Sequence, residues 1–473
     1  MAAQPLPPIA EFPSGKPAYT FKNGFPTQET LERAYNEADL NRAIEAYRFF
    51  YPTVSGAAIF KGNARIGIVP NRVFGTLDGK PMHIGFTYNS DTPYGPLTMD
   101  LTDGPMVVEL PPGPLICIAM DVNQLWIADL GLPGPAAGKG DKVAFLPPGF
   151  KGDVPAGYRV ANSPSNNMLV GVRSLPVNGD VPGAIARIKT VKVYPLKPNP
   201  DWPETKWLDL TPLEQDTTPL ACENNIEFWR ELHEAISAEP PNPRFHTMYG
   251  ELAALGIERG KPFNPDERMS AILEKAAKSA NAQMRVESFG DRRPDRIVWP
   301  DRKWEWAALR FEDGDFNTDN YADLYARDKW FYQAIGASPA MFKRDTTAGS
   351  LYWLGLRDNL GANLDGGKTY KLSVPQPVPG KLFWSVTVYD TETRSQVLTD
   401  QGKAALRSLF ELKNVPTTQP TDLYFGPNAP KGQEDNWIKT IPGKGWFVYF
   451  RVYGPEKAAF DGSWKPGDFE LLS

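Results

Sequence analysis

The chain has 473 residues, more than one hydrophobic core ordinarily serves, so at least two domains are expected. Its 51 basic and 56 acidic residues leave a net charge of -5, which supplies no field to concentrate nucleic acid or an anionic membrane. No run of roughly eighteen or more apolar residues occurs, so no membrane insertion by a helix is expected, and 47 Pro, 41 Gly and 12% aromatic residues suit short strands punctuated by turns.

Residues 1–26 are Pro-rich and read as a loose leader. Met1, Ala2, Ala3, Gln4 and Pro5 lack the basic and apolar regions of a secretory signal, which fits a mature terminus from which a signal has been cut and fits an unprocessed cytosolic start equally. Thr27 can cap a helix carrying Leu31, Tyr35, Ala38, Leu40, Ile44 and Tyr47, with Pro52 as its stop. From Gly56 to Pro195 the pattern changes to short apolar stretches at 106–110, 115–121, 143–146 and 169–173, broken by Gly, Pro, Asn and Asp. These predict a first β-sandwich, and the lack of alternating helical segments disfavours a wound parallel sheet.

Residues 196–222 form a linker bearing Trp202 and Trp207. Helices follow: Ile226, Trp229, Leu232, His233 and Ile236 make one apolar stripe, and Asn264 caps a second helix with Pro265 and Glu267 in its first turn. That second helix buries Met269, Ile272, Leu273, Ala276, Ala277 and Ala280, and 321–334 supplies another. The chain therefore divides into a helix with a β-sandwich over 27–195, a linker and helical segment over 196–335, and a second sandwich over 336–473. The fold class is mainly β.

Two late strands are especially legible. At 382–389 Leu382, Trp384, Val386 and Val388 alternate with Phe383, Ser385, Thr387 and Tyr389; at 446–453 Trp446, Val448, Phe450 and Val452 alternate with Phe447, Tyr449, Arg451 and Tyr453. One face of each is apolar. The other gathers hydroxyls, rings and Arg451, and either lines a cavity or lies partly exposed with Arg451 across Tyr449 or Tyr453.

Several separated motifs carry a family resemblance. Asn89-Ser90-Asp91-Thr92-Pro93-Tyr94, Pro105 through Pro111, Gly149-Phe150-Lys151-Gly152 and Val172-Arg173-Ser174 resemble the family called domain of unknown function 1254. Asn359 through Leu364, Asp365-Gly366, Tyr370, Phe383 through Asp390, Asn436-Trp437 and Arg451 through Pro455 resemble domain of unknown function 1214. Together they span most of residues 40–465 in the right order. The resemblance implies two jelly-roll-like β-sandwich modules with intervening helices, in a periplasmic or secreted setting, and carries no catalytic set with it.

Familiar chemical motifs are missing. There is no Gly-x-Ser-x-Gly elbow, no dinucleotide fingerprint and no phosphate loop, and His83, His233 and His246 stand in no metal-ligand spacing, so no cofactor and no metal are expected. His233 on its stripe and His83 between Met82 and Ile84 both read as packing residues. Asp313, Asp315, Asn317 and Asp319 are spaced like calcium ligands, but Thr318 and Leu324 replace the Gly and Glu such a loop requires. Cys117 and Cys222 either pair at long range or are two unrelated thiols.

Carboxylate, tyrosine and arginine must then carry any chemistry. Asp91 and Tyr94 sit in a turn ahead of a strand, Asp121 ends a strand on the Cys117 face where burial could raise its pKa, and Arg173 could hold an anionic substrate group. Structural roles compete at each: Asp91 in an Asx turn, Asp121 paired with Arg173, Asp390 bridged to Arg394. Two functions follow. One is a cofactor-independent hydrolase or lyase acting on a small polar or aromatic molecule through these four residues. The other is a homo-oligomeric binding protein that holds a carbohydrate or aromatic ligand with Trp384, Asp390, Arg394, Trp437, Arg451 and Tyr453, helped by Tyr449.

Overall fold

A computed structural model describes residues 19–310 and 313–472. Most of the expected leader, 1–18, lies outside them; beyond it the chain makes a short hairpin, Phe21–Lys22 against Phe25–Pro26. Thr27 caps the first helix, its Oγ1 accepting the Thr30 amide at 3.3 Å and its carbonyl the Leu31 amide at 2.9 Å.

That helix, Gln28–Arg65, runs straight through the expected stop at Pro52. An interior proline costs about 3 kcal/mol. Tyr51, Val54 and Ile59 on either side are buried, and each such side chain returns roughly 1.5–3 kcal/mol, so the helix continues. The β pattern read from Gly56 onward therefore begins too early. The glycines serve close approach instead: a Cβ on Gly56 would lie 1.9 Å from the Val122 carbonyl oxygen, and one on Gly62 2.3 Å from that of Asp216.

Two compact units divide the described chain. One holds the residues up to Val54 with Pro219–Asp295, the other Ser55–Thr218 with the residues from Arg296 onward. In the first, mainly helical unit, Glu227–Ala238 buries Phe228, Trp229, Leu232 and Ile236, while His233 Nε2 meets the Lys261 carbonyl at 2.7 Å. Glu267–Phe289 starts two residues later than Asn264 would set it: Asp266 is the cap, accepting the Met269 amide at 2.7 Å, where its charge also favours the helix N-terminus.

The second unit carries two β-rich regions, separated in sequence by the helical stretch. In the first, one sheet runs Tyr94–Asp100, Asn167–Ser174, Leu115–Asp121, Trp126–Gly131, and the other Lys192–Pro195, Met106–Leu110, Asp141–Leu146, Arg159–Asn162. Leu97, Cys117, Ala119, Val170 and Val172 of one sheet pack with Val108, Val143, Phe145 and Val193 of the other in a single core, as two stacked layers require. The Cys117 thiol is buried inside it, and no disulfide joins it to Cys222.

In the second region Glu305–Trp306, Ser350–Gly355, Trp446–Pro455, Gly380–Asp390 and Ala405–Arg407 form one sheet, and Trp437–Lys439, Thr421–Gly426, Tyr370–Val374 and Glu470–Leu471 the other. Trp353, Trp384, Val386, Val448 and Phe450 meet Tyr370, Leu372, Leu423 and Phe425 between them. The alternation at 382–389 and 446–453 thus sets the inward face as expected. The remaining side of those strands is fully covered, Tyr389 at 0%, Tyr449 at 1% and Arg451 at 3% exposed, which corrects the reading of a partly exposed face.

Candidate functional site

Strand register sorts the outward side chains of the first region. Tyr94 lies opposite Arg173 and Arg173 opposite Ile116; Pro96, Gly171 and Ile118 form the next row, and Thr98, Leu169 and Met120 the one after. In the second region Ser350, Tyr453 and Phe383 share a row, and Tyr352, Arg451 and Ser385 the next. These outward faces border a cavity of about 170 Å³. Tyr94, Arg173, Ile118 and Met120 line it from one side and Tyr352, Tyr449 and Arg451 from the other, with Ile59, Phe86 and Trp330 adding apolar wall.

The segment around 83–93 ties the two faces together. Thr87 holds a left-handed backbone (φ 45°), an outlier for a β-branched residue, and its carbonyl accepts Arg451 Nη2 at 3.0 Å and the Tyr389 hydroxyl at 3.1 Å. Asp91 is wholly buried; its Oδ2 accepts the Ser385 and Tyr453 hydroxyls, each at 2.8 Å. The Tyr453 oxygen in turn accepts Arg173 Nη2 at 3.0 Å, and Arg173 Nε reaches Thr92 Oγ1 at 2.8 Å. A chain of hydrogen bonds therefore runs from the cavity wall at Arg173 through Tyr453 to Asp91.

Charge on the wall is one-sided. Its lining includes two guanidiniums and no carboxylate among the described residues, and neither Arg173 nor Arg451 makes a salt bridge there. Arg451 lies over the rings of Tyr352 and Tyr449, 5.4 and 5.1 Å from their centroids, and Arg173 over Tyr94 at 5.1 Å. Burial pushes the pKa of Tyr88, Tyr94 and Tyr449 upward, so their hydroxyls stay protonated as neutral donors.

Of the residues singled out from sequence, Asp91, Tyr94, Arg173, Arg451 and Tyr453 come together here. Asp91 acts from behind the wall, through Tyr453. The others lie elsewhere. Asp121 closes the turn after its strand, accepting the Leu125 amide and the Asn123 side chain, each at 2.8 Å, and does not pair with Arg173. Trp384 points into the sandwich core against Phe450, so it cannot share a shelf with Tyr449 and Tyr453 on the opposite face. Trp437 donates to the Gly426 carbonyl at 2.9 Å. Asp390 accepts the amides of Glu392 and Thr393 and pairs with Lys444 at 3.4 Å, and Arg394 is packed between Phe86 and Tyr332. Asp313 turns its own loop by accepting the Asp315 amide at 2.8 Å, and no group of three or more metal-ligating side chains occurs among the described residues.

His83 is the residue that sequence reasoning passed over. It lines the cavity at 2% exposure, and both ring nitrogens lack a hydrogen-bond partner. Burial lowers its pKa, so the ring is neutral near pH 7. Its apolar neighbours Met82 and Ile84 conceal this, since a strand-like context says nothing of what a ring faces.

Two layered β-regions bordering a common cavity define a tandem β-sheet protein. The chain carries two family domains in tandem: residues 76–195 match the family described as "Protein of unknown function (DUF1254)" and 349–457 the one described as "Protein of unknown function (DUF1214)". The fold is similar to the crystal structure of the VPA0106 protein from Vibrio parahaemolyticus, at 17% identity and a TM-score of 0.57, covering 92% of this chain and 100% of that one. A putative uncharacterized protein from Burkholderia cenocepacia aligns over 93% of this chain and 96% of its own at 11% identity and a TM-score of 0.40. No curated protein matches the chain in sequence.

Proposed function

We propose that the cavity is the site of a small-molecule hydrolase or lyase whose substrate is about the size of one ring and carries a single anionic group. One observation carries the reading: two arginines, with no carboxylate beside them in the wall, line a cavity of about 170 Å³. Asp91 acts on Arg451 at a distance and on Arg173 only through Tyr453, so the cavity wall itself stays positive, and an incoming anion gains charge-assisted hydrogen bonds there. An engineered cavity of about 150 Å³ holds benzene, which sets the scale of the ligand. Tyr94, kept neutral by burial, suits a hydrogen-bond donor that orients the substrate, while Asp91 orients Tyr453 and Arg173.

The carbohydrate-shelf alternative has weaker support, because Trp384 and Tyr453 lie on opposite faces of one sheet. With the enzyme reading go a jelly-roll curl of each sandwich and a periplasmic or secreted setting, both of which rest on the family resemblance; self-association belongs to the binding alternative. No helix among the described residues is long and apolar enough to cross a membrane.

Calorimetric titration of the full chain with benzoate tests the site. Binding should weaken by roughly tenfold or more in Arg451→Met and in Arg173→Met, as expected for loss of a charge-assisted contact. Absence of benzoate binding, or affinity untouched by both substitutions, would remove the proposal.

A further inference from the structure

The cavity has a second polar corner, away from the sheet-borne arginines in sequence and built from different elements. Asn63 comes from the last turns of the Gln28–Arg65 helix, His83 from the segment before Thr87, and Gln215 and Thr217 from the stretch after residue 209; all four line the space. They are held as a group. The Ile84 amide donates to the Gln215 carbonyl at 2.7 Å, the Thr217 amide returns to the Ile84 carbonyl at 3.1 Å, and Gln215 Nε2 donates to Asn63 Oδ1 at 2.5 Å.

After those bonds are made, three buried polar atoms remain without a partner: Nδ1 and Nε2 of His83 and Nδ2 of Asn63. Asn63 is 1% exposed and His83 2%. Leaving such groups unsatisfied costs about 1–3 kcal/mol each, and both residues line the cavity, where a ligand can supply hydrogen bonds to them. A neutral imidazole offers one donor and one acceptor, and the Asn63 amide adds a donor. The chemical match is a hydroxyl group, which gives one hydrogen and accepts others.

We propose that His83 and Asn63 bind a hydroxyl on the substrate, so that the cavity takes a hydroxylated ring carboxylate, its carboxylate on Arg173 and Arg451 and its hydroxyl on His83. This rests on the reading of the cavity as an anion site and narrows it. Burial keeps the imidazole neutral near pH 7, the state in which one ring nitrogen can accept the hydroxyl proton. A site built to hydrogen-bond a hydroxyl rejects the analogue lacking it far more strongly than a merely apolar pocket would.

The test compares benzoate with 2-, 3- and 4-hydroxybenzoate by calorimetry on the full chain. At least one isomer should bind roughly tenfold or more tightly than benzoate, and which isomer it is reports the span from the arginines to His83. In His83→Leu that preference should collapse to within about threefold, while His83→Gln, which keeps a donor and an acceptor, should retain part of it. His233→Leu, in the helical unit, should leave the ratio as it is. In the unaltered protein the His83 ring ¹⁵N resonances should shift with the preferred isomer and stay put with benzoate, a readout that needs no variant to fold. Equal binding of benzoate and all three isomers, a preference that survives His83→Leu, or unmoved His83 resonances would each overturn the proposal while the anion site stands. Failure of benzoate and all isomers to bind would take both down.

Discussion

Tyr453→Phe removes one oxygen from the centre of the Arg173–Tyr453–Asp91 chain and little else. The ring stays stacked on Phe383 at 4.1 Å, so packing is preserved and the hydroxyl is isolated. That oxygen accepts Arg173 Nη2 at 3.0 Å and donates to Asp91 Oδ2 at 2.8 Å. Hydrogen bonds to charged groups contribute roughly 1.5–3 kcal/mol each, and Asp91, wholly buried with Oδ1 already unpartnered, has no water to turn to. Allowing for relaxation of the Arg173 side chain, the loss should be about 3 kcal/mol. Urea unfolding followed by tryptophan fluorescence measures it, with the denaturant slope unchanged. Asp91→Asn and the double variant complete a cycle whose coupling energy should fall at about 1–3 kcal/mol. Tyr321→Phe, whose ring is 60% exposed, is the control and should stay within about 0.5 kcal/mol. A Tyr453→Phe loss as small as the control's would refute the idea that the chain holds Arg173 in place.

Burial raises Asp129 from its ordinary 3.8 to about 6, so between those values the folded chain holds the extra proton and stability falls as pH rises. Asp129→Asn should flatten that limb and gain roughly 1–3 kcal/mol at pH 8, read from urea midpoints at several pH values. His83 behaves in the opposite sense. Burial lowers its folded pKa, with Asp78 opposing and Lys80 assisting, so below about pH 6.5 the unfolded chain binds more protons and stability falls as pH drops; His83→Gln should remove that dependence. The Cys117 thiol, pushed up to about 12 by burial, should resist a thiol reagent at pH 8 until the chain unfolds, whereas the half-buried Cys222 should label in the native state. Trp384→Ala should cost roughly 3–5 kcal/mol by thermal or urea unfolding, since its ring fills the second sandwich core rather than a binding surface.

What the chain determined by itself is local and periodic. The two-residue alternation at 382–389 and 446–453 assigns Trp384, Val386, Val448 and Phe450 to one face and Tyr449, Arg451 and Tyr453 to the other, because successive side chains of an extended backbone point oppositely. It even rules out a common shelf of Trp384 with Tyr453, a consequence available before any coordinates. The Thr27 cap is legible for the same reason, since capping involves only neighbours along the chain.

Tertiary structure decided the rest. Pro52 is a stop by local rules, yet burial of its flanking residues carries the helix onward. Asp121 and Asp91 look alike in sequence as aspartates beside strands, but one closes a turn two to four residues away while the other reaches Tyr453 across 362 positions. His83 sits in an apolar context that masks it, and only the folded chain shows both ring nitrogens buried without a partner beside the cavity. Periodicity tells which way a side chain points; what it meets there depends on contacts between segments hundreds of residues apart, and no local pattern encodes them.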